Sequence, residues 1–412
     1  MSESSVRRVV VTGMGVVSSI GMGASEFGAA LRSGRSAVRP IRAFDTTGYE
    51  HALGCEVGEF DPHRWIRHGS PEDMGRASTF SASAARMAIE HAGLTEERVG
   101  ASDALVAVGT TDGEARDLDG IVETQVRRGP SEISGEIAAR VPAGRLSAAV
   151  AGELGLSDVE VVTLPTACAA GNYAIAYGFD AIRAGDVDLA LCGGADAVCR
   201  KTFTGFYRIG TIAPELCQPF DRDRKGILTG EGAGMLVLES LDSARARGAR
   251  ILAEVLGAGI NCDAHHQVAP DEDSIAACML LALDNARVRP EEVDFISAHG
   301  TGTRANDVTE ARAVRRVFGE RTAPPTVSMK SMLGHTMGAA SALASIGCVL
   351  AITDGFIPPT INHRETDPEC GIDCVPNRAA AVRPRVVQNN SFAFGGNNAI
   401  VLYGACADGA DR

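Results

Sequence analysis

The chain has 412 residues, more than a single hydrophobic core usually holds, so two domains or a fused pair of similar units is expected. Its 45% hydrophobic and 22% charged residues are ordinary for a water-soluble globular enzyme. The net charge of −13, with no run rich in lysine or arginine, argues against nucleic acid as a partner.

Apolar segments and cysteines indicate where in the cell the chain works. No segment approaches the ~20 apolar residues that span a bilayer, and the polar stretch Met1 to Arg8 lacks the apolar core of an export signal. We therefore expect no membrane association and a cytoplasmic location. Eleven cysteines, an odd number, predict free thiols rather than a disulfide framework. Because no cysteine pair has a matching second pair, we expect no metal site.

The first predicted element is a strand, Arg8 to Thr12, followed by the glycines Gly13 to Gly15. These glycines lack the G-x-G-x-x-G spacing of a dinucleotide site, so we interpret them as a tight turn into the sheet. A helix-like segment, Ser78 to Ala92, and a buried strand, Ala104 to Val108, follow. Residues 113–145 have no counterpart later in the chain and are interpreted as an insertion that covers an entrance or contacts another subunit.

The next strand and helix surround Cys168. A β-branched run, Val159 to Leu164, precedes the cysteine, and a long apolar pattern, Asn172 to Ile182, follows it. This order places the thiol at a helix N-terminus, where free N–H groups and the helix dipole favour a thiolate. The small residues around it leave room for a substrate, which indicates a nucleophile. Core packing is the alternative, because free cysteine is among the most buried residue types.

Two histidines in the second half stand in glycine-rich loops. His299 ends the predicted strand Val293 to Ile296, and His335 opens an apolar helix-like pattern. Loops at strand ends are where a scaffold usually presents its chemistry. Lys330, one of only three lysines, lies five residues before His335, which indicates a role that arginine cannot fill. A cysteine with two such histidines predicts one catalytic site built from both halves of the chain.

The same order of predicted elements occurs in both halves of the chain. Each half has a strand with paired glycines, a helix, a buried strand, then a strand and a long helix. The two halves end with similar sequence segments, Gly230 to Leu238 and Phe394 to Leu402. Apolar strands separated by helix-length patterns indicate sheets covered by helices on both faces. We predict an α/β fold of five layers (αβαβα) with two mixed sheets, in which residues 1–249 carry the nucleophile and residues 250–412 carry both histidines.

These motifs together resemble the β-ketoacyl-[acyl-carrier-protein] synthases, the elongating ketosynthases of fatty acid and type II polyketide synthesis. The similarity covers the chain from about Arg7 to Leu402. It implies the thiolase fold and decarboxylative Claisen condensation without a metal or organic cofactor, because phosphopantetheine arrives as part of the carrier-protein substrate. The segments that carry the resemblance are Thr166 to Cys168, His299 to Thr303, Lys330 to His335 and Asn390 to Gly396.

The resemblance also implies a role for each matching residue. Cys168 would take an acyl chain from the acyl carrier protein as a thioester. His299 and His335, as neutral donors, would bind the thioester oxygen of the malonyl group while carbon dioxide leaves, and Lys330 and Glu310 would pair and orient them. The other implied positions are the oxyanion hole and gate at Phe394, Gly395 and Gly396, the pantetheine contacts Thr301 and Thr303, and the acyl pocket at Asp112 and Phe206.

Departures from the family pattern bear on substrate and partners. Asp112 stands where fatty acid synthases often have an aliphatic residue, which favours a polyketide or polyene chain. Ser70 to Asp73 replaces basic residues with which relatives bind the acyl carrier protein. We expect a homodimer, or a heterodimer with a ketosynthase-like chain-length factor. Carrier docking would then use a partner subunit or other arginines, namely Arg64, Arg67, Arg76, Arg200 or Arg208.

Two other functions are alternatives. A thiolase or an initiating synthase would act on coenzyme A thioesters. Thiolases have a second cysteine as base, and initiating synthases have asparagine at the position of His335, so the two-histidine set argues against both. A non-catalytic chain-length factor would lack the nucleophile, whereas Cys168 is present. The chain can still be the active subunit of a heterodimer with such a factor.

Overall fold

The computed structural model describes residues 6–406, in which ten principal strands form two sets of five. The first set is β1 (Val9–Ser18), β2 (Ala104–Gly109), β3 (Glu160–Leu164), β4 (Leu189–Asp196) and β5 (Gly232–Ser240). The second set is β6 (Ala253–Cys262), β7 (Phe295–Ser297), β8 (Thr326–Val327), β9 (Val386–Phe392) and β10 (Asn397–Gly404). Short strands also occur at Gly21–Met22, Arg39–Pro40, Leu53–Cys55 and Thr229–Gly230.

Both sets form a mixed sheet with the same strand order. The first runs β3-β2-β4-β5-β1 and the second β8-β7-β9-β10-β6, with parallel pairs at the same places. Even the register shift recurs, between Val11 and Gly13 in β1 and between Val255 and Gly257 in β6. The predicted duplication is therefore confirmed strand by strand.

The two sheets are joined along one edge. Strands β1 and β6 pair antiparallel through Val9 with Val255, Val10 with Glu254 and Val11 with Ala253. An antiparallel pair between equivalent strands is what a pseudo-twofold axis through the joint produces. The two mixed sheets that the sequence predicts are thus continuous in their hydrogen bonding.

The helices supply the other three layers. They are α1 (Gly23–Ser33), α2 (Arg76–His91), α3 (Glu96–Gly100), α4 (Ala115–Arg128), α5 (Gly135–Arg140), α6 (Arg145–Glu153), α7 (Ala170–Ala184), α8 (Arg200–Arg208), α9 (Leu241–Ala246), α10 (Glu272–Ala286), α11 (Arg304–Phe318), α12 (Lys330–Leu333) and α13 (Ala340–Asp354). Single 3₁₀ turns occur at Pro62–Arg64, Pro71–Asp73, Pro130–Glu132, Ala167–Ala169, Pro290–Glu292 and Met337–Ala339.

The middle layer consists of α7 and α13, which contact strands of both sheets. Helices α2 and α6 cover the outer face of the first sheet, and α10 and α11 cover that of the second. The segment Met337–Asp354 is long and apolar enough to cross a membrane, so the prediction that no segment approaches that length was wrong. It is 83% buried inside the protein, and a helix enclosed by two sheets is apolar on all sides for that reason.

The paired glycines correct another prediction, because they lie inside strands and not in turns. A Cβ atom on Gly15 of β1 would lie 1.8 Å from the carbonyl oxygen of Ala84 in α2. A Cβ atom on Gly259 of β6 would lie 2.6 Å from the carbonyl oxygen of Cys278 in α10. The glycines therefore allow each outer helix to approach the strand backbone directly.

The predicted insertion, residues 113–145, forms α4, α5 and the 3₁₀ turn between them. Leu118, Val122 and Val126 are exposed at four-residue intervals along one side of α4. The division predicted between residues 249 and 250 falls in the connection from α9 to β6 and stays a prediction. The ten cysteines from Cys55 to Cys374 are free thiols.

Candidate active site

Equivalent turns in the two halves build the site. Ala167, at φ +50°, opens the 3₁₀ turn that contains Cys168 and leads into α7. Met337, at φ +52°, opens the equivalent turn that follows His335 and leads into α13. A non-glycine residue at positive φ is strained and persists where the surrounding structure holds it. The two turns contact each other, which brings the nucleophile and one histidine to the seam between the halves.

Cys168, His299 and His335 line a single cavity of about 210 Å³. The centroids of the two imidazole rings are 5.6 Å apart, and the ring planes cross at 81°. The structure therefore brings together the three residues that the sequence singles out from distant segments. Other predicted site residues that line this cavity are Phe206, Thr301, Thr303, Phe394 and Gly396.

The environment of His335 fixes its tautomer. The backbone N–H of Met337 donates to its Nδ1 atom at 3.1 Å, so Nδ1 carries no proton and Nε2 does. Backbone hydrogen bonds to Leu228 and from Gly230 hold the residue in place. Burial, together with the charge of Lys330, holds the pKa of His335 well below its usual value. His335 is thus a neutral imidazole whose Nε2–H is free to donate.

Lys330 and Glu310 hold His299 through its backbone. The Glu310 carboxylate accepts the N–H groups of His299 and Gly300, both at 2.8 Å, and Asn390 donates to it at 3.1 Å. The Lys330 ammonium donates to the carbonyl oxygen of His299 at 2.6 Å. The two residues contact the backbone of His299 from opposite sides and do not form a direct ion pair with each other. Their predicted role in orienting the histidines stays a prediction. Burial, then Lys330, lowers the pKa of His299 well below its usual value.

Cys168 is 5% exposed, and the hydroxyl of Ser391 donates to its carbonyl oxygen at 2.9 Å. Burial raises the pKa of the thiol to about 12, although the charge of Lys330 lowers it. The thiolate expected at a helix N-terminus is therefore disfavoured, because burial outweighs the charges that would stabilise it. A pKa of about 12 favours the protonated thiol at neutral pH. The sulfur faces the cavity, so core packing does not explain this cysteine.

The predicted gate contains two glycines in a conformation that other residues rarely adopt. Gly395 and Gly396 have φ angles of +84° and +79°, which side chains rarely adopt. A Cβ atom on Gly396 would also lie 2.8 Å from the Cβ atom of Asp263. The Phe394 ring is 39% exposed, and its centroid lies 5.4 Å from that of Phe206 across the cavity. Phe394 thus lies where it can cover the cavity.

The two predicted pantetheine contacts belong to one rigid turn. The hydroxyls of Thr301 and Thr303 are 2.8 Å apart, and Thr303 caps the N-terminus of α11. Between them, the N–H of Gly302 donates to Asp307 at 3.2 Å, and Asp307 pairs with the buried Arg224. This ion pair anchors the turn, and no pattern in the sequence predicts it.

Asp112 does not line this cavity. Its carboxylate is 5% exposed and binds Lys201 and Thr202 of α8. Its predicted place in the acyl pocket stays a prediction.

Comparison with known proteins identifies the family that has this site. Residues 6–244 match the N-terminal domain model of β-ketoacyl synthases, and residues 252–364 match the C-terminal domain model. The chain belongs to the β-ketoacyl synthase family. It is 40% identical over 408 residues to nodulation protein E of Rhizobium leguminosarum bv. trifolii, covering 96% of this chain and 99% of that protein. It is 35% identical over 412 residues to 3-oxoacyl-[acyl-carrier-protein] synthase 2 of Coxiella burnetii, covering 98% and 99%.

Two solved structures superpose on nearly all of this β-ketoacyl synthase chain. The ishigamide ketosynthase/chain length factor superposes with a TM-score of 0.96 at 58% identity, covering 98% of this chain and 100% of that one. A ketosynthase solved in complex with its type II polyketide acyl-carrier protein gives 0.89 at 30% identity, covering 98% and 100%. The predicted fold class and enzyme class are confirmed: this protein is a ketosynthase, a condensing acyltransferase with a thiolase fold.

The neutral histidines of this ketosynthase should make its stability depend on pH. Below about pH 6.5 the unfolded chain binds protons that the folded chain, with its lowered histidine pKa values, does not. The free energy of unfolding should therefore fall on acidification, by about 1.4 kcal/mol per pH unit for each buried histidine. Urea unfolding between pH 5 and 7 measures how the free energy of unfolding changes with pH. In His335→Gln this slope should be smaller by the contribution of one bound proton. An unchanged slope in that variant would contradict a neutral, buried His335.

Proposed function

We propose that this ketosynthase lengthens a carrier-bound acyl chain by two carbons, using malonyl-acyl carrier protein as the second substrate. The observation that carries the proposal is one cavity that holds Cys168 beside two neutral imidazoles. A nucleophile accounts for acyl loading, and neutral donors account for stabilising an oxyanion without protonating it.

In the first step the sulfur of Cys168 attacks the acyl thioester. The carbon–sulfur bond to the pantetheine arm breaks, and the departing thiolate takes up the proton that the Cys168 thiol loses. Thr301 and Thr303 lie in the same cavity, where their hydroxyls can bind the arm. Backbone N–H groups at Cys168 and Phe394 would bind the oxyanion of the tetrahedral intermediate.

In the second step the malonyl group loses carbon dioxide. The electrons of the breaking carbon–carbon bond move to the thioester oxygen, which the Nε2–H of His335 and the ring of His299 would bind. The resulting carbanion attacks the acyl carbonyl on Cys168, and the sulfur leaves. We expect no metal or organic cofactor, because loss of carbon dioxide drives the condensation, and we propose a cytoplasmic location.

For the chain that is extended, we propose a type II polyketide or polyene intermediate. Its support is the 58% identity to the ishigamide ketosynthase/chain length factor, against 35% to a 3-oxoacyl-[acyl-carrier-protein] synthase 2. A saturated fatty acyl chain is the second candidate. A thiolase-like use of coenzyme A thioesters is disfavoured, because His335 stands where an initiating synthase would have asparagine.

The partner subunit would pair with strand β3. This strand ends the first sheet, and Glu160 and Val161 are exposed along it, as is Tyr177 of the adjacent α7. The equivalent edge strand β8 is buried. An unpaired strand edge beside exposed apolar side chains is a template for pairing with another chain. We propose a ketosynthase-like chain-length factor as that chain, as in the ishigamide assembly, with a homodimer as the other outcome.

Among the arginines predicted to dock the carrier protein, Arg208 fits best. Arg76 is bound by the buried Glu231, and Arg67 by Glu90. Arg208 is exposed at the end of α8, between Phe206 and Ile209, which line the cavity. An acidic carrier that approaches the cavity would therefore meet Arg208 first.

Arg208→Glu should raise KM for the acyl-carrier substrate about tenfold, because a reversed charge at the rim of an interface slows association. Acylation by a small thioester such as an acyl-N-acetylcysteamine should be unchanged, since it does not need the carrier. Arg67→Glu is the matched control, a charge reversal at an arginine already paired internally. Equal effects at both positions, or a loss with the small thioester, would rule out carrier docking at Arg208.

The overall reaction is tested by reconstitution. The purified chain, with and without a ketosynthase-like partner, is mixed with an acyl-carrier and malonyl-carrier, and the carrier-bound products are identified by mass spectrometry. We expect a β-ketoacyl-carrier two carbons longer and one carbon dioxide per product. Equally efficient turnover of coenzyme A thioesters without any carrier would reject the proposal.

A further inference from the structure

Asp196, at the end of β4, is fully buried and accepts four hydrogen bonds. Three come from the loop that follows β2: the hydroxyl of Thr110 at 2.7 Å and the N–H groups of Thr111 at 2.8 Å and Asp112 at 3.1 Å. The fourth crosses the seam, from the N–H of Gly338 at 2.6 Å. All four groups donate to it, and the ionised carboxylate satisfies each of them, although burial raises the pKa of Asp196 to about 7.

The bond to Gly338 lies next to the group that fixes His335. Gly338 follows Met337 directly, and the N–H of Met337 donates to Nδ1 of His335. The turn also packs without spare room, because a Cβ atom on Gly338 would lie 2.5 Å from Cα of Thr110. The positive φ of Met337 needs such support, since this conformation is unfavourable for an unconstrained methionine.

We propose that Asp196 is a positioning residue for decarboxylation: by binding the N–H of Gly338, it holds the Met337 peptide in the orientation that keeps the His335 proton on Nε2. This inference rests on the proposed function of His335. It makes a residue of the first half responsible for the tautomer of a histidine in the second. Asp196 itself does not line the cavity and touches no substrate there.

Three variants separate the hydrogen bond of Asp196 to Gly338 from its hydrogen bonds to the loop after β2. Asp196→Ala removes the acceptor for Gly338. Asp196→Asn keeps one oxygen, which can stay on Gly338 while its amide faces the Thr110 hydroxyl, a group that accepts as well as donates. Thr110→Val removes the hydrogen bond from the Thr110 hydroxyl to Asp196 and leaves the bond from Gly338 intact. The positioning role therefore predicts that His335 is disturbed most in Asp196→Ala, less in Asp196→Asn and not in Thr110→Val.

The kinetic test compares two half-reactions. Release of carbon dioxide from malonyl-carrier should fall about 10²-fold in Asp196→Ala, the cost of a displaced catalytic group. Acyl loading of Cys168, followed by intact mass, should change by only about twofold to threefold. Equal losses in both half-reactions would mean a structural role only and would overturn the inference. If Asp196→Ala does not fold, the same comparison is made on Asp196→Asn against Thr110→Val, and an identical ratio of the two rates in that pair would overturn it.

A second readout does not depend on activity. In ¹⁵N-histidine-labelled protein, the His335 ring, assigned with His335→Gln, should have a protonated Nε2 and an unprotonated Nδ1. Asp196→Ala should shift this signal toward the other tautomer, and an unshifted signal would contradict the inference. If the wild-type chain released no carbon dioxide but the signal still shifted, the proposed function would fail while the positioning of His335 by Asp196 stood.

Discussion

Replacing Cys168 with alanine is expected to abolish acyl transfer from the carrier protein to the enzyme. Among the described residues that line the cavity, Cys168 is the only cysteine, and the proposed covalent intermediate cannot form without its sulfur. Condensation should fall by about 10⁴-fold or more, the scale seen when a covalent nucleophile is removed. Intact-protein mass spectrometry after incubation with an acyl-carrier measures the loading, and peptide mapping locates it.

Cys262→Ala is the control for this experiment. Cys262 is an exposed cysteine whose thiol lies 3.5 Å from the carbonyl oxygen of Gly395, beside the gate. Its removal should leave loading unchanged. An acyl group found on any other cysteine in the Cys168→Ala protein would refute the assignment of the nucleophile.

The second large effect concerns the histidines. His299→Ala and His335→Ala should each slow the release of carbon dioxide from malonyl-carrier by about 10²-fold to 10³-fold, since each removes one donor to the developing oxyanion. Acyl loading of Cys168 should be affected much less, because that oxyanion is bound by backbone N–H groups. Labelled malonyl-carrier gives the decarboxylation rate, and intact mass gives the loading rate on the same protein.

His335→Gln is the informative companion variant. Glutamine keeps an N–H donor near the position of Nε2 and has no charge, so it should retain more decarboxylation than alanine. Equal losses in His335→Gln and His335→Ala would mean that hydrogen-bond donation is not what His335 supplies. Decarboxylation at the wild-type rate in both alanine variants would contradict the role of the pair.

The sequence predicted the features that repeat or alternate. Two sets of apolar strands and two long apolar helices were enough for the duplicated fold, because burial between layers dictates that pattern. Cys168, His299 and His335 stood out because each lies in a small-residue segment at the end of such an element. Their convergence follows from the pseudo-twofold arrangement, which the repeated order of elements already implied.

What the sequence could not predict depends on distances between separate segments. The sequence pattern predicts a turn at the paired glycines of β1, because nothing local indicates that α2 lies against them. The charge state of Cys168 depends on burial, which outweighs the helix N-terminus. The pairing of Asp112 with Lys201, 89 residues away, could not be predicted from the order of residues in the chain. Asp196 was missed for the same reason.

The most direct test of the account is a single-turnover chase on enzyme loaded with an acyl group. Malonyl-carrier is added, and acyl-Cys168, carbon dioxide and β-ketoacyl-carrier are followed by rapid quench. If one cavity performs both steps, the acyl group should leave Cys168 as fast as the β-ketoacyl-carrier appears, with one carbon dioxide for each product. Product that formed while the acyl group stayed on Cys168 would contradict the account.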